Sequence, residues 1–539
     1  MILRVFRLLP LLLVLAALCV AVWWWPNRAV VVGAAGVGEK LNSVSFAPFR
    51  AGQSPLADRF PSETEVDADL ALLAPRTKTI RTYAAIEGDY DVPGLARKHG
   101  LQVWLGIWLG ADRAQNAREI ARGIALANRY PDSVARVVVG NEVLLRRDLP
   151  VAELVAAIDR VKAAVRQPVT YGDVWEFWEQ FSEVARHVDI VTIHLLPYWE
   201  DNPTGILGAV SHVGAVYRRM STLFAGKPVA IGETGWPSAG RPRRDAVPSR
   251  VNQAVFIREF LALARQEGFD YNLIEAFDQV WKYKNEGSVG ASWGLFSVDR
   301  GAKFSPDGVV VERPDFLLYA AGSIVCGFLL VGFTLWRRPG LGARAQAALA
   351  VLGMIAGTAL AYGFAGTLPL IFDNFLLAAA AVNLPAQALL AVLLMERAGA
   401  ILAGEILPSA RNGAQATAAV RALFRLRLPP CETWLEDILF VFQWTAAVMQ
   451  LLLLFDPRYR DFSLPVFAVP LVAVLARVAL RDLPRGGGGR EEFFVGKTLL
   501  LASIASAVSE GALNRASIIW NAAALVLAFP ALLRLTRGA

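Results

Sequence analysis

Charge is scarce in this chain. Only 19% of its 539 residues are Asp, Glu, Lys or Arg, while 55% are hydrophobic. Soluble domains carry about a quarter charged residues, so a wholly soluble enzyme is excluded. Cysteine is scarcer still: Cys19 and Cys326 lie inside apolar runs and Cys431 at the edge of one. None falls within 30–313, which excludes a disulfide framework there. The four histidines, His99, His187, His194 and His212, form no pair at ligand spacing, so neither a metal site nor a cofactor is expected. A serine nucleophile elbow and a dinucleotide fingerprint are also missing. The glycine run 486–489 is not followed by Lys-Ser or Lys-Thr, so it reads as a loop and not as a phosphate cradle.

What is present divides into two kinds of sequence. Residues 30–313 are an ordinary globular mix, long enough for one barrel-sized domain. Residues 314–539 are mostly Ala, Leu, Val and Phe, in about seven runs able to cross a bilayer: 316–336, 346–367, 370–395, 433–455, 463–480, 495–512 and 516–534, the last two interrupted by polar residues. Residues 1–29 read as a transmembrane signal anchor, with Arg4 and Arg7 before an apolar stretch that ends in Trp23-Trp24-Trp25 at an interface. A cleaved signal peptide is the alternative, with Val32-Gly33-Ala34-Ala35 as its peptidase site.

The net charge of +7 sits beside the apolar runs, so it is not a nucleic-acid footprint. With the N-terminus inside, the cytoplasmic loops hold Arg337, Arg338 and Arg344; Arg397, Arg411, Arg421, Arg425 and Arg427; Arg481, Arg485, Arg490 and Lys497; and Arg534 and Arg537. The opposite loops hold only Arg458, Arg460 and Arg515. This asymmetry predicts a multi-pass inner-membrane protein whose domain 30–313 is periplasmic. Asp373, Glu436, Asp437 and Glu510 fall near predicted span ends and read as interfacial.

Within 30–313, eight short apolar or β-branched runs alternate with helical patterns. The strands are expected at 42–49, 79–83, 102–109, 136–142, 169–174, 189–196, 228–234 and 272–279. The helices are expected near 62–74, 92–99, 112–129, 151–164, 175–186, 205–224 and 249–266. Eight such alternations predict an α/β fold, a (β/α)8 TIM barrel, followed by an all-α multi-span region. A doubly wound sheet would need a glycine-rich first turn, which Phe46-Ala47-Pro48-Phe49 is not.

In a barrel, function sits at the C-terminal ends of the strands. Strand four ends in Asn141-Glu142 and strand seven in Gly232-Glu233-Thr234-Gly235-Trp236. Two carboxylates across one cleft lined by tryptophan are the equipment of a glycosidase. Trp104, Trp108, Trp175, Trp178, Trp199, Trp236, Trp281 and Trp293 all lie in this domain. Trp199, Trp236 and Trp281, at strand ends or in loops, are candidates to stack on sugar rings; packing in the barrel core is the alternative for each.

The segments Val139-Gly140-Asn141-Glu142-Val143 and Gly232-Glu233-Thr234-Gly235-Trp236-Pro237-Ser238 resemble the two signature motifs of glycoside hydrolase family 17, the β-1,3-glucanases and β-1,3-glucan transglycosylases. Ile80-Arg81-Thr82-Tyr83, Ala276-Phe277-Asp278-Gln279, Trp281-Lys282, Glu286 and Trp293-Gly294-Leu295-Phe296 fit the same pattern. His194-Leu195-Leu196-Pro197-Tyr198-Trp199-Glu200 resembles the bacterial, membrane-anchored branch. The resemblance covers roughly 40–300 and implies a retaining mechanism, with Glu142 as acid/base and Glu233 as nucleophile. Tyr198 is the expected hydrogen-bond donor to Glu233, and Arg81 the expected neighbouring charge. Asn141 is placed to bond the sugar 2-hydroxyl. Tyr83, Lys282 and Glu286 are further substrate-binding candidates, the last two binding either sugar or each other. Asp278 and His194 read as supporting or packed residues.

The expected activity is therefore cleavage of internal β-1,3-glucan bonds by double displacement, completed by water or by a sugar hydroxyl. It would remodel periplasmic or exported glucan. The expected partners are β-1,3-glucan, the lipid bilayer and a glucan synthase in the membrane, with no nucleic acid. The rival reading is a catalytically inactive glucan-binding or glucan-export accessory protein; loss of either glutamate would have signalled it.

Overall fold

The computed structural model describes residues 2–33, 39–407, 433–483 and 490–535, together with a few residues between 421 and 427. Most of the loop 396–432 that carries the expected cytoplasmic arginines thus lies outside the described residues. The chain divides into two compact units: Ala29–Val311, and a second made of Met1–Arg28 with Glu312–Ala539.

The first unit is the expected barrel. Its strands are β1 (Leu41–Ser45), β2 (Thr77–Arg81), β3 (Gln102–Ile107), β4 (Val134–Asn141), β5 (Val169–Val174), β6 (Ile190–His194), β7 (Val229–Thr234) and β8 (Asp270–Leu273). They close into one parallel barrel in sequence order, β8 returning to β1 through Val44 opposite Leu273. Three of the barrel helices, including the two described next, begin at side-chain caps. Ser62 and Glu65 form a reciprocal capping box before Glu63–Leu73, and Asp112 accepts from the Ala114 and Gln115 amides before Arg113–Arg129. Between strands and helices lies a continuous apolar core that includes Val103, Leu105, Val137, Val191 and Ile231.

Inside the barrel the filling is partly polar. Ser43 donates to Asn272, Asn272 donates to Ser45 and to the Gly232 carbonyl, and Thr170 shares a hydrogen bond with Thr192. Every one of these side chains is buried. Buried polar groups survive only when partnered, and this layer forms the floor beneath the strand ends.

Two features depart from the sequence reading. Strand eight stops at Leu273, not at 279. The segment beyond it instead alternates bonds to other elements: Ile274 donates to the Thr234 carbonyl, Ala276 to Ser45 and Gln279 to Ala291. A short antiparallel ladder, Val30–Val31 with Val309–Val310, was not anticipated. Buried Arg258 holds it by donating to the carbonyls of Val32, Ser305 and Gly308.

In the second unit, six described helices are long and apolar enough to cross a membrane: Phe316–Arg337, Ala343–Leu370, Asn374–Leu402, Trp434–Phe455, Arg490–Glu510 and Arg515–Leu533. The set is compatible with a multi-pass membrane region. Leu8–Trp24 and Leu464–Ala479 are shorter apolar helices. The latter is the span expected at 463–480; Pro465 turns its first residues into a 3-10 helix. Phe316–Arg337 and Ala343–Thr367 touch through Gly327 and Gly357, where a Cβ on Gly357 would lie 2.4 Å from the Gly327 nitrogen. The four acidic residues near span ends do structural work. Asp373 caps a helix, Glu436 pairs with Arg477, Asp437 accepts from Thr433, and Glu510 accepts from Asn514.

Candidate active site

Glu142 follows β4 with φ of 54°, just after Gly140 at φ 83°. A non-glycine residue in this region is held there by its surroundings, and such positions gather at functional sites. Here the Glu142 amide donates to the Gly172 carbonyl at 2.7 Å, which fixes the turn against β5. Glu233 lies in β7, opposite His194 of β6 in the barrel register, and is 4% exposed. A carboxylate oxygen from each glutamate and a ring nitrogen of His194 all lie within 4.8 Å of one another.

Arg81, at the end of β2, organises the centre. Its guanidinium donates to Glu233 Oε1 at 3.0 Å, to the Gly232 carbonyl at 2.6 Å and to Asn141 Oδ1 at 2.5 Å. Only 1% of it is exposed. This rigid fork is a donor set that lysine cannot reproduce. It also bears on metal binding. Two carboxylates and an imidazole at this spacing have the chemistry of a ligand set, but the positive charge there is already supplied by Arg81. Asn141 gives its oxygen to Arg81, so its amide hydrogens are the group able to donate to a sugar hydroxyl.

His194 is fully buried, with Nδ1 2.8 Å from Glu142 Oε1 and Nε2 3.4 Å from Arg81 Nη2. Burial pushes the Glu142 carboxyl upward. The hydrogen bond from His194, with the charges of Arg146 and Arg81 behind it, works against that and holds it below its ordinary value. Asp173 of β5 stands nearby; burial pushes it up to about 6 against its bond from Tyr171.

Tyr83 lies under the Arg81 guanidinium, 4.9 Å from ring centre to carbon, and donates to Ser45 at 2.9 Å. Burial and the Glu233 charge hold its hydroxyl well above the usual tyrosine range. Lys282 donates to both oxygens of Glu275 at 3.0 Å, so its first partner is a carboxylate that the sequence reading did not name. Burial holds Glu275 up at about 7 despite that pairing. Glu286 is half-buried; burial and the charges of Glu142 and Glu233 raise it above its ordinary value, against Lys282.

Two expected aromatic or donor roles need correction. The Tyr198 hydroxyl donates its hydrogen to the Arg241 carbonyl at 2.5 Å and so is not the expected donor to Glu233. Trp236 is wholly buried between Tyr198 and Phe256, with its indole N–H on the Val247 carbonyl, so it fills core and offers no face to a sugar. Trp178 is likewise core, donating to the Thr192 carbonyl. Trp199 and Trp281 remain half-buried, the first against Trp293 and the second edge-on to Phe49. Asp278 pairs with Lys303 at 2.6 Å and accepts from the Gly294 amide, a structural position.

The family model of the BtgE/BtgC glycoside hydrolase domain matches residues 43–294. A glucan 1,3-beta-glucosidase of Schizosaccharomyces pombe is 31% identical over 254 residues, 44% of this chain and 79% of the relative. One from Candida albicans is 29% identical over 265 residues, 45% of this chain and 85% of the relative. A crystal structure of a glycoside hydrolase family 17 beta-1,3-glucanosyltransferase from Rhizomucor miehei is similar at 25% identity and a TM-score of 0.44, covering 50% of this chain and 97% of that one.

Proposed function

The chain belongs to the glycoside hydrolase family 17-like β-1,3-glucanases that carry the BtgE/BtgC domain, and from that premise we propose that it is a retaining enzyme of β-1,3-linked glucan, with Glu233 as nucleophile and Glu142 as acid/base. The observation that carries the reading is the approach of the two carboxylates within 4.8 Å at the C-terminal end of one barrel. Retaining glycosidases hold their carboxyl groups about 5–5.5 Å apart, whereas inverting ones leave room for a water at roughly 6.5–9.5 Å.

Each group has a reason for its role. Glu233 accepts from the Arg81 guanidinium at 3.0 Å, which fixes its carboxylate at the barrel rim for attack on the anomeric carbon. The Glu142 side chain is 22% exposed, and its surroundings favour the ionised form. A sugar laid over it removes that exposed part from water and moves it toward the protonated form an acid requires. Attack by Glu233 then breaks the glycosidic bond as Glu142 protonates the leaving oxygen. Water or a sugar hydroxyl resolves the glycosyl-enzyme, with Glu142 taking its proton.

In this reading the barrel is periplasmic on a multi-pass inner-membrane region and remodels the cell's own glucan beside a glucan synthase. The arginine asymmetry of the loops and the six long apolar helices support it. The presence of both glutamates in one cleft weighs against an inactive accessory protein.

The test uses the full-length chain in detergent. Glu233→Gln should abolish turnover of every substrate. Glu142→Gln should abolish glucan cleavage yet keep the first step on an activated aryl β-glycoside, and azide should rescue Glu142→Ala. If the two glutamine variants respond alike to the aryl glycoside, the role assignment fails.

A further inference from the structure

The ring of His194 lies between the two glutamates, and its surroundings fix where its proton sits. This inference rests on the reading of Glu142 as acid/base. Nε2 faces Arg81 Nη2 at 3.4 Å, with Glu233 Oε1 at 3.9 Å. An arginine has only donors, so Nε2 is the accepting nitrogen and Nδ1 carries the hydrogen. Nδ1 then donates to Glu142 Oε1 at 2.8 Å. The ring has no freedom to turn away. A Cβ on Gly172 would lie 2.9 Å from Nε2 and one on Gly232 would lie 2.9 Å from Cδ2, so the two neighbouring strands are cut back to glycine where the imidazole fits.

We propose that His194 is a positioning residue that divides the work of the Glu142 carboxyl: Oε1 is pinned by the imidazole N–H, and Oε2 alone exchanges the catalytic proton. In the first step the proton passes from Oε2 to the glycosidic oxygen as its bond to the anomeric carbon breaks and a Glu233 oxygen bonds that carbon. In the second, Oε2 takes the proton of the incoming hydroxyl, whose oxygen bonds the anomeric carbon as the ester to Glu233 breaks. His194 keeps the Nδ1 hydrogen bond to Oε1 through both steps and takes no part in the proton transfer itself.

A hydrogen bond to the anion favours the anion. Removing it makes Glu142 hold its proton to higher pH. The other groups around Glu142 stay in place: Arg81 from β2, Arg146 beyond β4, Asp173 from β5, Glu233 from β7 and Glu286 beyond β8. A change in pH profile on altering His194 therefore reports on His194.

The experiment compares wild type, His194→Ala, His194→Asn and His194→Gln in the full-length chain, on a β-1,3-glucan oligomer and on its 2,4-dinitrophenyl glycoside. For His194→Ala, kcat/KM on the oligomer should fall about 10- to 100-fold, a part of the roughly 10²–10⁴-fold that positioned proton transfer supplies, since Glu142 itself remains. On the dinitrophenyl glycoside, whose leaving group needs no proton, it should stay within about threefold by the same argument. The alkaline limb of the profile should move to higher pH. An asparagine amide overlays the Nδ1 position and should recover most of the loss; a glutamine amide overlays Nε2 and should not. These two variants decide the matter if the alanine variant melts early. Equal losses on both substrates, an unmoved alkaline limb, or asparagine no better than glutamine would overturn the proposal. Glu142→Gln and Glu233→Gln run alongside. If either turns over glucan like wild type, the underlying reading fails; if both are inactive and the His194 variants match wild type, only this inference fails.

Discussion

Arg81 and Glu233 form a buried ion pair at 3.0 Å, with 1% and 6% of their side chains exposed. The same guanidinium reaches Asn141 and the Gly232 carbonyl, so one side chain from β2 ties the strand ends carrying both glutamates. Breaking one side of such a pair leaves an uncompensated buried charge, at a cost of about 3–5 kcal/mol. Arg81→Met should therefore lower both the melting temperature in detergent and kcat/KM. Arg81→Lys should restore part of the stability but little of the activity, since one ammonium cannot span three acceptors. A methionine variant that melts with wild type would show that the pair is not what holds these strand ends.

Much of this site was legible in the sequence, and the reasons it was incomplete are local. Glu142, Glu233 and Arg81 each stand at or just past the end of a strand, so counting strands put them at one rim. Glu275 was missed because the apolar residues Ile274, Ala276 and Phe277 extended the apparent eighth strand past Leu273, where the backbone had already left the ladder. His194 looked like a packed strand histidine because its partners, Glu142 and Arg81, are 52 and 113 residues away. Trp236 and Tyr198 were misread for a related reason. Both side chains are buried, and an aromatic ring after a strand looks the same in sequence whether it faces a cleft or the core.

A second prediction concerns pH. Glu87, in the loop after β2, is 8% exposed with its Oε2 buried and lacking a hydrogen-bond partner among the described residues. Burial first, and the Glu119 charge second, raise it to about 8, against an unfolded value near 4.5. Between these values the folded state keeps a proton that the unfolded chain has released. Stability from this group is complete below about pH 4.5 and is lost as the pH rises through 8. Glu275, Glu176 and Asp173 contribute slopes of the same sign. Glu87→Gln should therefore flatten the decline of the barrel's melting temperature between about pH 5 and 8 without removing it. An unchanged slope would mean that Glu87 is ionised in the fold.

Topology supplies a third. With the N-terminus inside, reporters fused after Arg313 and after Arg427 should lie in opposite compartments, because three expected spans separate them. An alkaline phosphatase fusion should be active at the first position and silent at the second. Activity at both would remove the orientation drawn from the arginines.

The last prediction weighs transfer against hydrolysis, which in the proposed mechanism share every step up to the glycosyl-enzyme on Glu233. The outcome depends on whether a sugar hydroxyl or water reaches the intermediate. Water stands at about 55 M, so an acceptor wins only if the cleft binds and orients it; positioning is worth effective molarities of up to roughly 10⁵–10⁸ M. Trp178 is buried in the core and offers no face to an acceptor. Trp199, beyond β6, and Trp281, beyond β8, keep partly open faces, and Lys282 beside Trp281 can donate to a hydroxyl once Glu275 shares it. Trp175 is half-buried too, but its ring lies under Arg219. A cleft that transfers should use Trp199 or Trp281 to hold the acceptor. Incubating the full-length chain with a β-1,3-glucan oligomer at rising concentration should then give products longer than the starting oligomer, read by mass spectrometry. Trp199→Ala or Trp281→Ala should lose the longer products while still releasing shorter ones. If only shorter products form across the whole accessible concentration range, the rings merely grip a polymer that is being hydrolysed, and the enzyme is an endo-glucanase.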